Sequence, residues 1–125
     1  MRDYDNVYIR QEIRLHRKNC VAQERLEALI RRDGTLSSKQ MERLSELQEK
    51  NATVEGWLLL LSEDEAYVIK RHLIDGITWP RVWAEYSQKW KEFGKCERTL
   101  MRYQDHALKK IQRFMNDQDD NRTTK

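Results

Sequence analysis

Apolar residues recur along this chain at intervals of three and four, the spacing of helices that bury one face. A first helix is predicted from about Tyr4 to Arg32, where Tyr8, Leu15, Ala22 and Leu29 repeat every seven residues. Leu26 and Ile30 widen that stripe, and Ile9, Ile13 and His16 form a second, overlapping face. Asp33-Gly34-Thr35 reads as a turn, with Gly34 suited to the left-handed conformation that closes a helix. A second helix restarts at Ser37 or Ser38, either of which can cap it. Its apolar residues are Leu44, Leu47, Val54, Leu58 and Leu61, and Asn51 fills the gap in this heptad seam. The two helices predict an antiparallel hairpin over 1–60. The seam of Leu44, Leu47, Asn51, Val54 and Leu58 either packs on the first helix or also joins a second copy of the chain, with Asn51 fixing the register.

Three shorter segments follow. Ser62 and Glu65 make an S-x-x-E capping box, and Glu63, Asp64 and Glu65 place negative charge in the first helical turn, where the helix dipole favours it. The third helix carries Ala66, Ile69 and Leu73 on one face, with Val68 and His72 beside it, and stops at Asp75-Gly76. Thr78 is placed to cap a fourth helix, with Pro80 in its first turn and Trp79, Val82, Trp83, Tyr86 and Trp90 on the buried side. Gly94 is expected to break that helix. A fifth begins near Cys96, with Leu100, Tyr103, Ala107, Leu108, Ile111 and Phe114 or Met115 as its apolar stripe. These three helices define a second unit over 61–115. From 116 to 125 no apolar residue is left to anchor the chain, so that tail is expected to lack structure. The fold class is therefore all-α.

Composition agrees with thin helical layers: 36% of residues are charged, and only one proline and four glycines interrupt the chain. The net charge of +3 says little, but its distribution says more. Between Lys89 and Arg113 eight basic residues face three acidic ones, a local excess that suits a polyanion-binding face as well as a solvated one. Cys20 and Cys96 form no C-x-x-C or Cys/His ligand pattern, and no signal peptide is read at the N-terminus, so a reducing cytoplasm is expected. The longest apolar run, Trp57 to Leu61, is far too short to cross a bilayer. His16 and His72 read as residues at the edge of the core rather than metal ligands, and Cys96 and His106 as structural or exposed. Trp79, Trp83 and Trp90 read as core. No phosphate loop, nucleophile–base pair or paired carboxylates mark an enzyme, and no cofactor is implied.

Three short helices, a glycine turn after the first and a basic third helix outline a helix-turn-helix unit. In that arrangement Arg98 and Arg102 can grip guanine edges, and Thr99 a thymine methyl or a phosphate. Lys95 sits beside the helix N-terminus, where phosphate oxygens bind readily, and Lys109 and Lys110 form the basic flank.

The stretch from Leu61 to Trp83 (LSEDEAYVIKRHLIDGITWPRVW) resembles the opening of sigma-factor region four, and Glu97 to Ile111 (ERTLMRYQDHALKKI) is similar to its recognition helix. With a helical N-terminal half, the whole most resembles the RinA and ArpU type of phage late-gene activators. That resemblance implies binding to double-stranded promoter DNA, action beside the RNA polymerase of a bacterial host, and activation of phage or prophage late genes. The connection between Tyr86 and Cys96 is longer than the family's short turn, with Trp90, Lys91 and Phe93 expected to lengthen the fourth helix. A small terminase subunit serving DNA packaging, or a helical interaction protein without DNA binding, are the competing readings.

Overall fold

The computed structural model describes residues 4–92 and 94–123, without the side chains of 119–123. Five helices account for its regular structure: α1 (Asn6–Asp33), α2 (Ser38–Leu59), α3 (Glu63–Val68), α4 (Trp79–Trp90) and α5 (Glu97–Thr123), with a π-helical segment (Ile69–Ile74) continuing α3. No strand occurs among the described residues, and the protein is all-α. No helix described is long and apolar enough to cross a membrane.

Most helix ends are set by local chemistry. The Asp5 carboxylate accepts from the Tyr8 backbone N–H to start α1, and Gly34 closes it at φ 82°. Ser37 rather than Ser38 caps α2, in a reciprocal box with Gln40. The Ser62–Glu65 box forms as expected, the Glu65 N–H donating to Ser62 Oγ and the Ser62 N–H to Glu65 Oε1. Thr78 stands at the N-cap of α4 without making a capping bond.

α1 and α2 run antiparallel. Ile9 and Ile13 meet Val54 and Trp57 in one buried cluster, while further along Gln23 Oε1 accepts from Asn51 Nδ2 at 2.7 Å. The buried residues of α1 are Ile9, Ile13 and His16, whereas Tyr8 and Leu15 of the predicted seven-residue stripe are exposed. A strict heptad line drifts around a straight helix by about 20° per repeat. Near its N-terminus α1 turns its other face inward, because that end packs on the π-helical segment and α5 as well as on α2.

The hairpin shares a core with the rest of the chain. Ile9, Ile13, Val54 and Trp57 are packed with Ile69 and Leu73 of the π-helical segment and Ala107, Leu108 and Ile111 of α5. The Trp57 indole N–H points to Met115 Sδ at 3.1 Å. The boundary drawn at residue 60 thus separates two stretches of sequence but not two cores. Leu44, Leu47, Asn51 and Val54 are buried within the single chain, with Leu58 half-buried, so the predicted dimer seam is already covered. A second cluster joins Val68, Val82, Tyr86 and Leu100, wrapped by Tyr67, Ile77, Trp79, Trp83, Trp90 and Tyr103.

Two departures lie in the C-terminal half. α4 stops at Lys91, which takes the left-handed conformation at φ 54°, so the helix ends three residues before Gly94. It does include Trp90; Phe93 lies outside the described residues. The tail expected to be unstructured from 116 is helical to Thr123, with 124 and 125 outside the described residues. One anchor is visible: the Tyr4 backbone N–H donates to Asn116 Oδ1 at 2.8 Å, a contact across the ends of the chain that apolar patterning cannot register.

Candidate nucleic-acid interface

α5 offers two faces of opposite character. Leu100, Gln104, Ala107, Leu108 and Ile111 are buried, at steps of four, three, one and three. At about 100° per residue, Arg98, Arg102, Lys109 and Arg113 fall on the other side, and all four are exposed. Among the described residues no carboxylate is within ion-pair distance of any of them. The outward face also carries His106 and two acids, Asp105 and Asp117, at its margins.

The other sequence-predicted contacts are partly committed inside the protein. The Lys110 ammonium donates to Glu65 Oε1 at 2.7 Å, tying α5 to the start of α3. That carboxylate is only 8% exposed, and burial alone would raise its pKa. The bonds from Lys110 and from Ser62 outweigh burial and hold it below the ordinary value. Lys95 donates to the Tyr86 hydroxyl at 3.1 Å and lies over the rings of Tyr86 and Tyr103. The Tyr103 and Tyr86 contacts push its pKa up, so it stays charged while held against the protein. The Lys95 carbonyl accepts from the Trp83 indole N–H, which fixes the entry to α5 against α4. Thr99 is half-buried, with its hydroxyl 3.7 Å from Cys96 Sγ. The Thr99 backbone N–H leads the contacts that lower the pKa of the exposed Cys96 thiol. Of the six residues named from sequence, Arg98, Arg102 and Lys109 remain free to meet a partner, and Lys95, Thr99 and Lys110 have structural work. A shallow cleft beside the N-terminus of α5 runs from Trp83 past Lys95 to Arg98 and Met101.

The brace behind α5 is a polar network as well as a core. Arg71 holds Glu85 on α4 with a two-pronged contact (2.8–3.0 Å) and Asp75 at 2.7 Å. His72 stacks on Trp79 with ring centroids 3.8 Å apart, and its Nδ1 pairs with Gln104 Oε1 at 2.7 Å. Burial lowers the His72 pKa; the Gln104 bond opposes this and Arg14 and Arg10 add to it. These contacts depend on the π-helical segment, in which the Asp75 N–H reaches back five residues to the Lys70 carbonyl. Along this stretch Val68 enters the aromatic cluster, while Ile69 and Leu73 enter the cluster shared with the hairpin. Apart from the Arg71–Asp75 pair, four residues apart, the network left no signal in the sequence, since its other partners are 14 and 32 residues apart.

One grouping lies away from α5. His16 and Cys20, one turn apart on α1, face Glu55 of α2, with ligand atoms all within 4.8 Å of one another. No Cys/His ligand pattern is read from the sequence, although His16-x-x-x-Cys20 puts the two one helical turn apart; the third member comes only with the hairpin. Comparison with family models, curated proteins and solved structures gives no match to this chain.

Proposed function

We propose that this protein binds double-stranded DNA through the outward face of α5 and regulates transcription, activating late genes of a phage or prophage inside a bacterial host. The observation that carries the DNA-binding reading is the basic set of Arg98, Arg102, Lys109 and Arg113 on one exposed face of a braced helix, with no ion-pair partner among the described residues. In this reading α3 with its π-helical continuation and α4 are the brace, and α5 is the reading helix of a helix-turn-helix. Arg98 and Arg102 near its N-terminal end contact base edges, and Lys109 meets phosphate. Lys95 and Lys110 contribute positive potential without leaving their internal partners. The assignment to late-gene activation, with RNA polymerase as a further partner, rests on the resemblance of 61–83 and 97–111 to sigma-factor region four.

The test is selection of duplexes from a random library by the full chain, followed by affinity measurements on the enriched sequence. Arg98→Ala and Arg102→Ala should each weaken that site by about 1–3 kcal/mol and relax its sequence preference. Lys109→Ala should weaken all sequences alike and reduce the salt slope by about one. No enriched duplex, or full affinity in the double arginine variant, rejects the reading.

A further inference from the structure

The N-terminal hairpin holds a constellation that DNA binding does not use. His16 and Cys20 project from the same side of α1, one turn apart, and Glu55 reaches them from α2. Cys20 Sγ lies 3.5 Å from His16 Nε2. Two ligands of a tetrahedral zinc ion, with Zn–S near 2.3 Å and Zn–N near 2.05 Å, stand about 3.5 Å apart. The thiol–imidazole pair is therefore near ligand spacing; Sγ also lies 3.9 Å from Nδ1, so the imidazole must turn to aim its Nε2 lone pair at the ion. The widest separation in the group, 4.8 Å or less, leaves about 1 Å to be closed, and Glu55 is an exposed side chain free to close it.

A second observation points into the same place. Asn51 sits one turn before Glu55 on α2 and is 4% exposed, and its Oδ1 has no partner other than the neighbouring His16 ring. Its side chain lies beside the His16 ring. A histidine that ligates a metal through one ring nitrogen must carry its proton on the other, and such an N–H is normally held by a carbonyl or carboxylate oxygen. The Asn51 oxygen, turned to the His16 ring, is of that type. Beside the group an open cleft is lined by Cys20, Gln23, Glu24, Glu27, Arg31 and Glu55. Three of those six residues are acidic, giving a cation a path in.

We propose that His16, Cys20 and Glu55 bind one Zn(II) ion between α1 and α2, with Asn51 Oδ1 orienting the imidazole. Thiolate, imidazole and carboxylate together suit a borderline-soft ion with no geometric demand of its own, and they match neither the all-oxygen shell of Mg(II) nor that of Ca(II). Three protein ligands leave a fourth position facing the cleft. The ion ties the two hairpin helices together close to where the hairpin joins the common core.

The experiment is titration of the reduced, tag-free full chain with Co(II), followed by Zn(II). The expected result is one Co(II) per chain, with a thiolate-to-cobalt charge-transfer band and visible bands of tetrahedral intensity, all displaced by one equivalent of Zn(II). Cys96→Ser should keep the band and Cys20→Ser should abolish it. Glu55→Gln, a change at an exposed position, should weaken binding by about tenfold or more while leaving the helical circular dichroism unchanged. Zn(II) should also raise the melting temperature of the wild type but not of Cys20→Ser. Absence of the band, its survival in Cys20→Ser, its loss in Cys96→Ser, or unchanged affinity in Glu55→Gln overturns the proposal.

Discussion

Replacing Lys110 with methionine tests whether this residue holds the fold. Its ammonium donates to Glu65 Oε1 at 2.7 Å, and the carboxylate is 8% exposed while the lysine side chain is 48% exposed. A hydrogen bond to a charged group contributes about 1.5–3 kcal/mol, and an exposed pair about 0.2–1 kcal/mol. A buried acid with a half-exposed base falls between them, so the pair should contribute about 1–2 kcal/mol. Glu65→Gln is the matching variant, because glutamine at this position can still close the capping box with Ser62. The double-mutant cycle of Glu65→Gln and Lys110→Met, measured by urea unfolding at pH 7, should give a coupling energy of about 1–2 kcal/mol. The Lys110→Met melting temperature should fall by roughly 3–8 °C. The pH dependence has a definite sign. Burial raises the Glu65 pKa, but the Lys110 and Ser62 contacts outweigh it, and the folded carboxyl titrates below its ordinary 4.5. Stability from this group is therefore present above pH 4.5 and lost as pH falls through the lower folded value. The coupling should shrink toward zero in strong acid. A coupling below about 0.3 kcal/mol at pH 7, or one unchanged in acid, would refute the reasoning.

Other changes probe the remaining parts of the fold. Lys91→Gly should stabilise the protein by about 0.5–1 kcal/mol, the left-handed strain of about 1–2 kcal/mol less the glycine entropy cost, and a lower melting temperature would count against it. Ile13→Ala should cost about 2–4 kcal/mol and lower a single unfolding transition, since this fully buried residue joins the hairpin to α5; two separate transitions would show that the halves do not share a core. His72, whose pKa burial lowers below 6.5, must gain a proton on unfolding in mild acid, so stability should fall as pH drops below 6.5. His72→Gln should make that decline shallower, and an unaltered slope in urea titrations would remove His72 as its source.

The elements were readable from the sequence wherever a local rule fixed them. The Ser62–Glu65 box, the Gly34 cap and the apolar spacing of α4 and α5 each involve residues within a few positions, and each stands close to where the pattern puts it. The failures share a different cause. Tyr8 and Leu15 repeat as well as any buried pair, yet they are exposed, because which face of α1 turns inward is decided by helices 50 or more residues away. Lys110 and Lys95 looked as free as Lys109; only the distant Glu65 and Tyr86 distinguish them. Lys91 ends α4 where Gly94 was the better conformational candidate. The aromatic packing of Tyr86 on Trp90, with ring centroids 4.6 Å apart, lies immediately before that end.

These tertiary contacts bear directly on how α5 is presented. Leu100, near its start, is buried with Val82 and Tyr86 of α4, while Ala107, Leu108 and Ile111 are buried with Ile9 and Ile13 of α1 and Val54 and Trp57 of α2. The helix is clamped at two levels by two different partners, and Arg102 lies between them, with Arg98 just before the first and Lys109 within the second. Rotation of α5 about its axis would have to break both clusters at once, so the orientation of its basic face is fixed more firmly than three short helices alone could fix it. The long connection after Tyr86 is held in the same way. Lys91 turns it, Trp83 takes hold of the Lys95 carbonyl, and Tyr86 accepts from the Lys95 ammonium. The hairpin therefore belongs to the presentation of α5, and a perturbation at Ile13 should be felt at Lys109 although neither residue touches the other's surroundings in sequence.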